Sequence, residues 1–191
     1  MEQNIFVDVL TSLQRLLVGY IPAAIVGIFI GIFIGINRIV YRIFKRILQM
    51  ARSIIPIALL PIALIVFKQI EPAAFVVVFM SALWTVIIDT AKGVRQFRQE
   101  GGNFRVAIHH IFRGLRIGIW VAWFTVIAIE MLTGGRGLGV VIWSAYNSRN
   151  PNYIIQAIIY ISIIGFILDQ LLDITGYFLS QIVLEGQQRD L

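Results

Sequence analysis

Residues 18–36, VGYIPAAIVGIFIGIFIGI, run without a single charged side chain. About 20 such residues carry an α-helix across the hydrocarbon of a bilayer. A backbone placed there finds no water to bond to, so it must satisfy itself as a helix. Four more apolar stretches follow, and they predict further spans at roughly 54–67, 72–91, 108–132 and 153–184. The second is short and holds Pro56 and Pro61. The third has Asp89 at its end, the fourth carries Arg113 and Arg116 near its start and Glu130 at its end, and the fifth is interrupted by Asp169 and Asp173. The bulk composition agrees: 59% of residues are hydrophobic and 14% charged, where soluble domains hold about 45–50% and 25%. The expectation is an all-α integral membrane protein with five transmembrane helices in a single membrane domain, 1–191. Glu2 and Asp8 give the chain an acidic start that runs straight into the first span, so no cleaved leader is expected.

On the first span Gly27, Gly31 and Gly35 recur at every fourth residue. They form one helix face of minimal side chains that lets another helix approach closely. The partner is either another span of the same chain or another subunit. Between the first two spans, residues 38–53 place Arg38, Arg42, Lys45, Arg46, Gln49, Arg52 and Ser53 mostly on one face, away from Ile39, Ile43, Phe44 and Ile47. That pattern predicts an amphipathic basic helix at the membrane surface, meeting anionic lipid headgroups or a cytoplasmic partner.

The net charge of +6 has its meaning in where the charges fall relative to the spans, not in nucleic-acid binding. With five spans, one side of the membrane receives twelve of the sixteen basic residues, and the other receives Arg15, Lys68, Arg136 and Arg149. The positive-inside rule makes the first side cytoplasmic, with the N-terminus outside and the C-terminus inside. Residues 133–152 then form an external glycine-rich loop whose VVIWSAY segment dips back toward the interface, with Trp143 and Tyr146 at headgroup level.

Enzyme chemistry has no foothold here. There is no cysteine, so disulfides and thiol nucleophiles are excluded. GGRGLG lacks the strand and the Lys-Ser/Thr of a phosphate-binding loop. His109 and His110 are neighbours and diverge on a helix, so they cannot ligate one metal. No catalytic residue, metal or cofactor is expected. Ionisable groups inside a membrane are functional candidates by default, which singles out Asp89, Arg116, Glu130, Asp169 and Asp173. The two aspartates, four residues apart, could equally neutralise Arg113 and Arg116.

Several segments, taken in order, resemble the permease subunit of ABC-type importers, in the nitrate, bicarbonate, sulfonate and taurine branch. They are SLQRLLVGYIPAAIVGIFIGIFIG at 12–35, ARSIIPIALLPIALIVF at 51–67, TAKGV at 90–94, GLRIGIWVAWFTVIAIEML at 114–132, GLGVVIWSAYN at 137–147 and the LDQLLD of the last span. The resemblance implies a type I, MetI-like core of five helices in the orientation that the charges give. The branch usually carries an additional first helix before this core, and the expectation here is that it is missing. The resemblance also implies a cytoplasmic loop of roughly twenty more residues after TAKGV, whose short helix docks into the ATPase subunit. Here GVRQFRQE at 93–100 is followed by GGNFR and then VAIHHIFRGLRIG at 106–118. Phe97, Glu100, Gly101, Gly102 and Asn103 stand as the remnant of that docking loop.

Two functional expectations follow. The first is a permease-like protein that has lost ATPase coupling and serves as an accessory or structural subunit of a larger membrane complex, beside other membrane subunits and lipids. The alternative is a working permease subunit for a small anion such as nitrate, bicarbonate or a sulfonate, with an ATPase subunit and an external binding protein as partners. The membrane is expected to be a bacterial inner membrane or one of the cyanobacterial or plastid type. The orientation is open to cysteine labelling on the cysteine-free background. A cysteine at Ser148 should react with an impermeant reagent from outside and one at Gln188 should not; the opposite pattern would reverse the topology.

Overall fold

The computed structural model describes residues 5–52, 55–99, 102 and 104–189, without the side chains of 45, 48, 49, 51, 52 and 182–189. Every regular element among the described residues is helical: α1 (Ile5–Ile36), α2 (Arg38–Arg52), a 3-10 turn (Pro56–Leu59) running into α3 (Leu60–Phe67), α4 (Ile70–Gln99), α5 (Phe104–Thr133), α6 (Leu138–Asn147) and α7 (Pro151–Arg189). The fold is the all-α membrane class that the apolar runs predict.

The core is built on α4, which packs against α1 on one side and α5 on the other. Gly19, Gly27, Gly31 and Gly35 of α1 face Val78, Val86, Thr90 and Val94 of α4, a constant offset of 59 residues. Both numbers rise together, so the two helices run parallel. A Cβ at Gly31 would lie 2.6 Å from the Thr90 Cβ and 2.9 Å from the Ile87 carbonyl oxygen. The glycine stripe is therefore filled by a helix of the same chain. α5 runs antiparallel to α4, with Gly93 against Ala107 and His110, and Gly114 against Asp89. Tyr20 of α1 reaches across to α5 and donates to the Leu115 carbonyl at 2.9 Å. α7 is antiparallel to α5, since Trp123 bonds the Ile161 carbonyl at 3.2 Å while Gly176 faces Phe112.

The expected count of five long spans needs correction. Four helices, α1, α4, α5 and residues 151–181 of α7, are long and apolar enough to cross a membrane, and the apolar helix at Pro56–Phe67 is shorter. The prolines explain its length. Pro56 opens the 3-10 turn and Pro61 sits in the first turn of α3. Each lacks a backbone N–H, so each is tolerated at a helix start but not inside a continuous one. Lys68, in the left-handed region at φ 55°, ends α3 by donating to the Leu64 carbonyl at 2.9 Å.

The parallel pairing of α1 and α4 still demands a return. Ile36 lies at the level of Arg95, and the chain must reach the far end of the bundle by Ile70, about 38 Å away along α4. The twelve residues of the 3-10 turn and α3 supply about 20 Å of that. The remainder falls to the segment 37–55, which holds α2. Asn37 separates α1 from α2 and caps the latter, its side-chain oxygen accepting from Ile39 N–H at 2.9 Å. Val40 and Tyr41 pack on the core. Beyond them Arg42, Arg46, Ile39, Ile43 and Ile47 are all exposed. A helix thus stands at 38–52, where an amphipathic surface helix is expected over 38–53; Ser53 lies outside the described residues.

Two further differences concern the last third of the chain. The expected loop at 133–152 contains a ten-residue helix, α6. The aspartates expected to interrupt the last span do not interrupt it, because α7 runs unbroken through Asp169 and Asp173. Both are bonded to Arg116, so neither carboxylate is left uncompensated against the helix.

Leucine at Gly31 should separate α1 from α4. Overpacking costs about 1–3 kcal/mol, so Gly31→Leu should lower the thermal midpoint of the detergent-purified protein. Ile30→Leu, one position away at a residue 40% exposed, should leave it unchanged. Equal midpoints would overturn the close contact.

Candidate functional site

Glu130, near the end of α5, is fully buried. A bare carboxylate there would be very costly, and three groups compensate it. Ser12 donates to both oxygens at 2.8 and 2.9 Å, Arg15 Nη1 reaches Oε1 at 3.0 Å, and Gly139 N–H reaches Oε2 at 2.9 Å. Gly139 belongs to the first turn of α6, whose other free N–H groups are also met by α1. Leu138 N–H bonds Ser12 Oγ at 2.9 Å, and Gly137 N–H bonds Asp8 Oδ1 at 3.3 Å. A helix start presents unpaired N–H groups and a partial positive charge, so side chains from two other helices cap α6 from a distance. Arg15 extends the network to α4 through Glu71, 2.6 Å away, and donates to the Arg136 carbonyl, also at 2.6 Å. Gly137, at φ +133°, leaves no room for a side chain, since a Cβ there would collide with the Glu130 carboxylate.

The Glu130 carboxylate thus joins α5 to α1 and α6, and Arg15 carries the node on to α4 through Glu71. Its chemistry is that of a clamp: Arg15 holds Oε1, Gly139 N–H holds Oε2, and the Ser12 hydroxyl is shared between the two. Sequence reasoning found Glu130 but missed Asp8, Ser12, Arg15 and Glu71. A signal was present. Stepping backward by three or four from Gly35 through Gly31, Gly27, Ala23 and Gly19 leads to Leu16, Ser12 and Asp8, all on the buried face of α1.

The other predicted positions lie elsewhere. Arg116 is about 21 Å from Glu130 along α5 and links α5 to α7. Its Nη2 meets Asp169 at 2.7 Å, its Nε meets the same carboxylate at 2.9 Å, and its Nη1 bonds Asp173. That geometry is a two-pronged guanidinium–carboxylate pair, the strong form of a charge-assisted bond. Asp89 is buried beside Gly114 and bonds Lys92 at 3.1 Å. His110 bonds Gln96 at 2.8 Å, away from Glu130. Among the described residues no cluster of three or more His, Asp or Glu could hold a metal.

Of the residues expected to be a docking-loop remnant, Phe97 packs its ring 4.5 Å from that of Phe104, and Gly102, at φ +94°, donates to the Phe97 carbonyl at 3.0 Å. The connection from α4 to α5 is a tight turn at that point. Glu100, Gly101 and Asn103 lie outside the described residues.

Comparison with known proteins puts this architecture in a family. The inner membrane component of binding-protein-dependent transport systems matches residues 103–176, which hold Glu130, Arg116, Asp169 and Asp173. The nitrate import permease protein NrtB of Leptolyngbya laminosa is 38% identical over 98% of this chain and 72% of its own length. The chain belongs to the ABC-importer permease family, in the nitrate, bicarbonate and sulfonate branch. The bicarbonate transport system permease protein CmpB of Synechococcus elongatus is 37% identical over 89% of this permease and 68% of its own length. The taurine transport system permease protein TauC of Escherichia coli is 27% identical over 88% and 68%.

Removing the carboxylate of the permease's node should undock α6. Breaking one partner of a buried ion pair costs about 3–5 kcal/mol, and losing one buried hydroxyl bond costs about 1–3 kcal/mol. Glu130→Ala should therefore destabilise more than Ser12→Ala. Val141 on α6 is 5% exposed. A Val141→Cys reporter should be slow to react with a maleimide in the otherwise unchanged chain and fast when combined with Glu130→Ala. A reporter that stays protected in both would remove the clamp role.

Proposed function

We propose that this chain is the permease subunit of an importer for a small oxyanion of the nitrate or bicarbonate kind, working with an ATPase subunit and an external binding protein. The observation that carries this reading is the similarity along 98% of the chain to a nitrate import permease at 38% identity, joined by bicarbonate permeases at similar identity. Relatives named for transport favour it over an accessory or purely structural role. The bundle has the polarity such a subunit needs. Because α1 and α4 are parallel and α5 is antiparallel to them, Arg38, Arg42, Arg46, Arg95, Arg98 and Arg105 gather at one end. By the positive-inside rule that end faces the cytoplasm, and the Glu130 node faces outside. The host membrane on this reading is a bacterial inner membrane or a cyanobacterial counterpart.

A second reading rests on a specific feature. Four positions, 100–103, separate the end of α4 from the start of α5, where the resemblance implies a longer ATPase-docking loop. The alignment with the nitrate permease runs over 204 residues, more than the 191 of this chain, so the relative carries internal residues with no counterpart here. Under this reading the chain keeps the permease fold without coupling to ATP hydrolysis and accompanies other membrane subunits.

Complementation separates the two. The chain is expressed in a cyanobacterial strain deleted for its own nitrate permease subunit but retaining the ATPase and binding protein. The importer reading expects ATP-dependent uptake of labelled nitrate or bicarbonate and co-purification of the ATPase. Correct membrane insertion with neither uptake nor bound ATPase would favour the uncoupled subunit. Lengthening the turn between Glu100 and Phe104 with a family-type docking loop should then restore ATPase binding.

A further inference from the structure

On α5, Arg105, His109, Arg113 and Arg116 follow one another at steps of four, four and three, which places them along one face. That face lines a cavity of about 800 Å³ between α5 and α7, at the basic end of the bundle. Arg116 closes its inner wall through Asp169 and Asp173. Arg113 is exposed, and no ion pair to it forms among the described residues. Further toward the bundle centre the wall turns apolar, with Ile117, Trp120 and Val121. The groove is open sideways: Trp120 is 52% exposed and Phe178, across it on α7, is 58% exposed.

Depth decides what fits. The thirty residues of α5 are about 45 Å long, matching a bilayer with its headgroups. Arg105 and His109 then stand at headgroup level. Arg113 lies one turn deeper, within reach of that level by snorkelling, while Ile117 to Val121 lie in hydrocarbon. The groove thus has a cationic mouth and an apolar floor, continuous with the space occupied by acyl chains.

We propose that this groove binds one anionic phospholipid, its phosphate held by Arg113 and His109 with Arg105 at the rim, and an acyl chain laid along Ile117, Trp120 and Val121. A free oxyanion shares the phosphate's chemistry but gains nothing from the apolar floor, and a bilayer leaflet facing a basic protein end supplies anionic headgroups at high local concentration. The site does not depend on whether the chain couples to an ATPase.

The test uses the whole chain in phosphatidylcholine vesicles that contain a minor fraction of brominated lipid, either brominated phosphatidylglycerol or brominated phosphatidylcholine. Bromine quenches tryptophan on contact, and the difference between the unchanged protein and Trp120→Phe isolates the signal of Trp120. Brominated phosphatidylglycerol is expected to occupy the site about tenfold more readily than brominated phosphatidylcholine. Arg113→Gln combined with His109→Gln should bring the two lipids close to parity, and Arg113→Lys should retain most of the preference. Three results would overturn the proposal. Equal quenching by both lipids would remove the headgroup selectivity. Absence of quenching by either would mean that another protein surface, such as a second copy, covers the groove. Loss of the preference on adding nitrate, but not chloride at equal ionic strength, would assign the basic face to a small anion instead.

Discussion

The bundle depends on how closely α1 can lie against α4. In lipid there is no hydrophobic gain in bringing two apolar helices together, so packing and hydrogen bonding must do it. Glycines at four-residue intervals let the α1 backbone approach to within van der Waals distance of the Val78, Val86, Thr90 and Val94 side chains. Once these two helices are parallel, much else is determined. The chain must return between them, α5 must fill the other side of α4, and α1's outer turns are brought beside the end of α5, where Glu130 lies.

The buried node is a consequence of that placement. A carboxylate with no access to solvent is tolerated when every lone pair has a donor. Here the donors are a hydroxyl and a guanidinium, both from α1, and the start of another helix, α6. The helix that benefits most is α6, which at ten residues is too short to hold itself in place by its own propensity. Its first turn is anchored by groups distant in sequence, and its apolar residues Leu138, Val141 and Ala145 are buried.

Much of this was legible in the sequence, for reasons that can be stated. Long uncharged runs reveal spans because a single segment satisfies its own backbone in hydrocarbon only as a helix, and the stripe of Gly27, Gly31 and Gly35 marked a close helix contact before its partner was known. The Arg116 pairing with Asp169 and Asp173 was readable as one of two alternatives, since opposite charges at membrane depth seek each other. What was not legible was long-range. Glu130 is separated by over a hundred residues from Ser12 and Arg15, and nothing in local periodicity joins them. The first helix was expected to begin at Val18 because Arg15, Ser12 and Asp8 break the apolar run; they are helical and buried because a carboxylate and a helix start await them. The return leg, short and holding two prolines, was still counted as a span because hydropathy registers composition, whereas Pro56 and Pro61 act on hydrogen bonding.

The length of α7 has a mechanical consequence. At 39 residues it is about 58 Å long, while a bilayer with its headgroups is about 40–45 Å thick. Roughly 15 Å of helix exceeds that thickness, to be taken up by tilt or by projection beyond the headgroups. The clamp of Arg116 on Asp169 and Asp173 lies near the middle of this rod, with arms of about 30 and 27 Å on either side. A rod pivoting at that point returns a tilt of one arm as an opposite sweep of similar size in the other. A force applied to either arm is delivered to the α5–α7 contact.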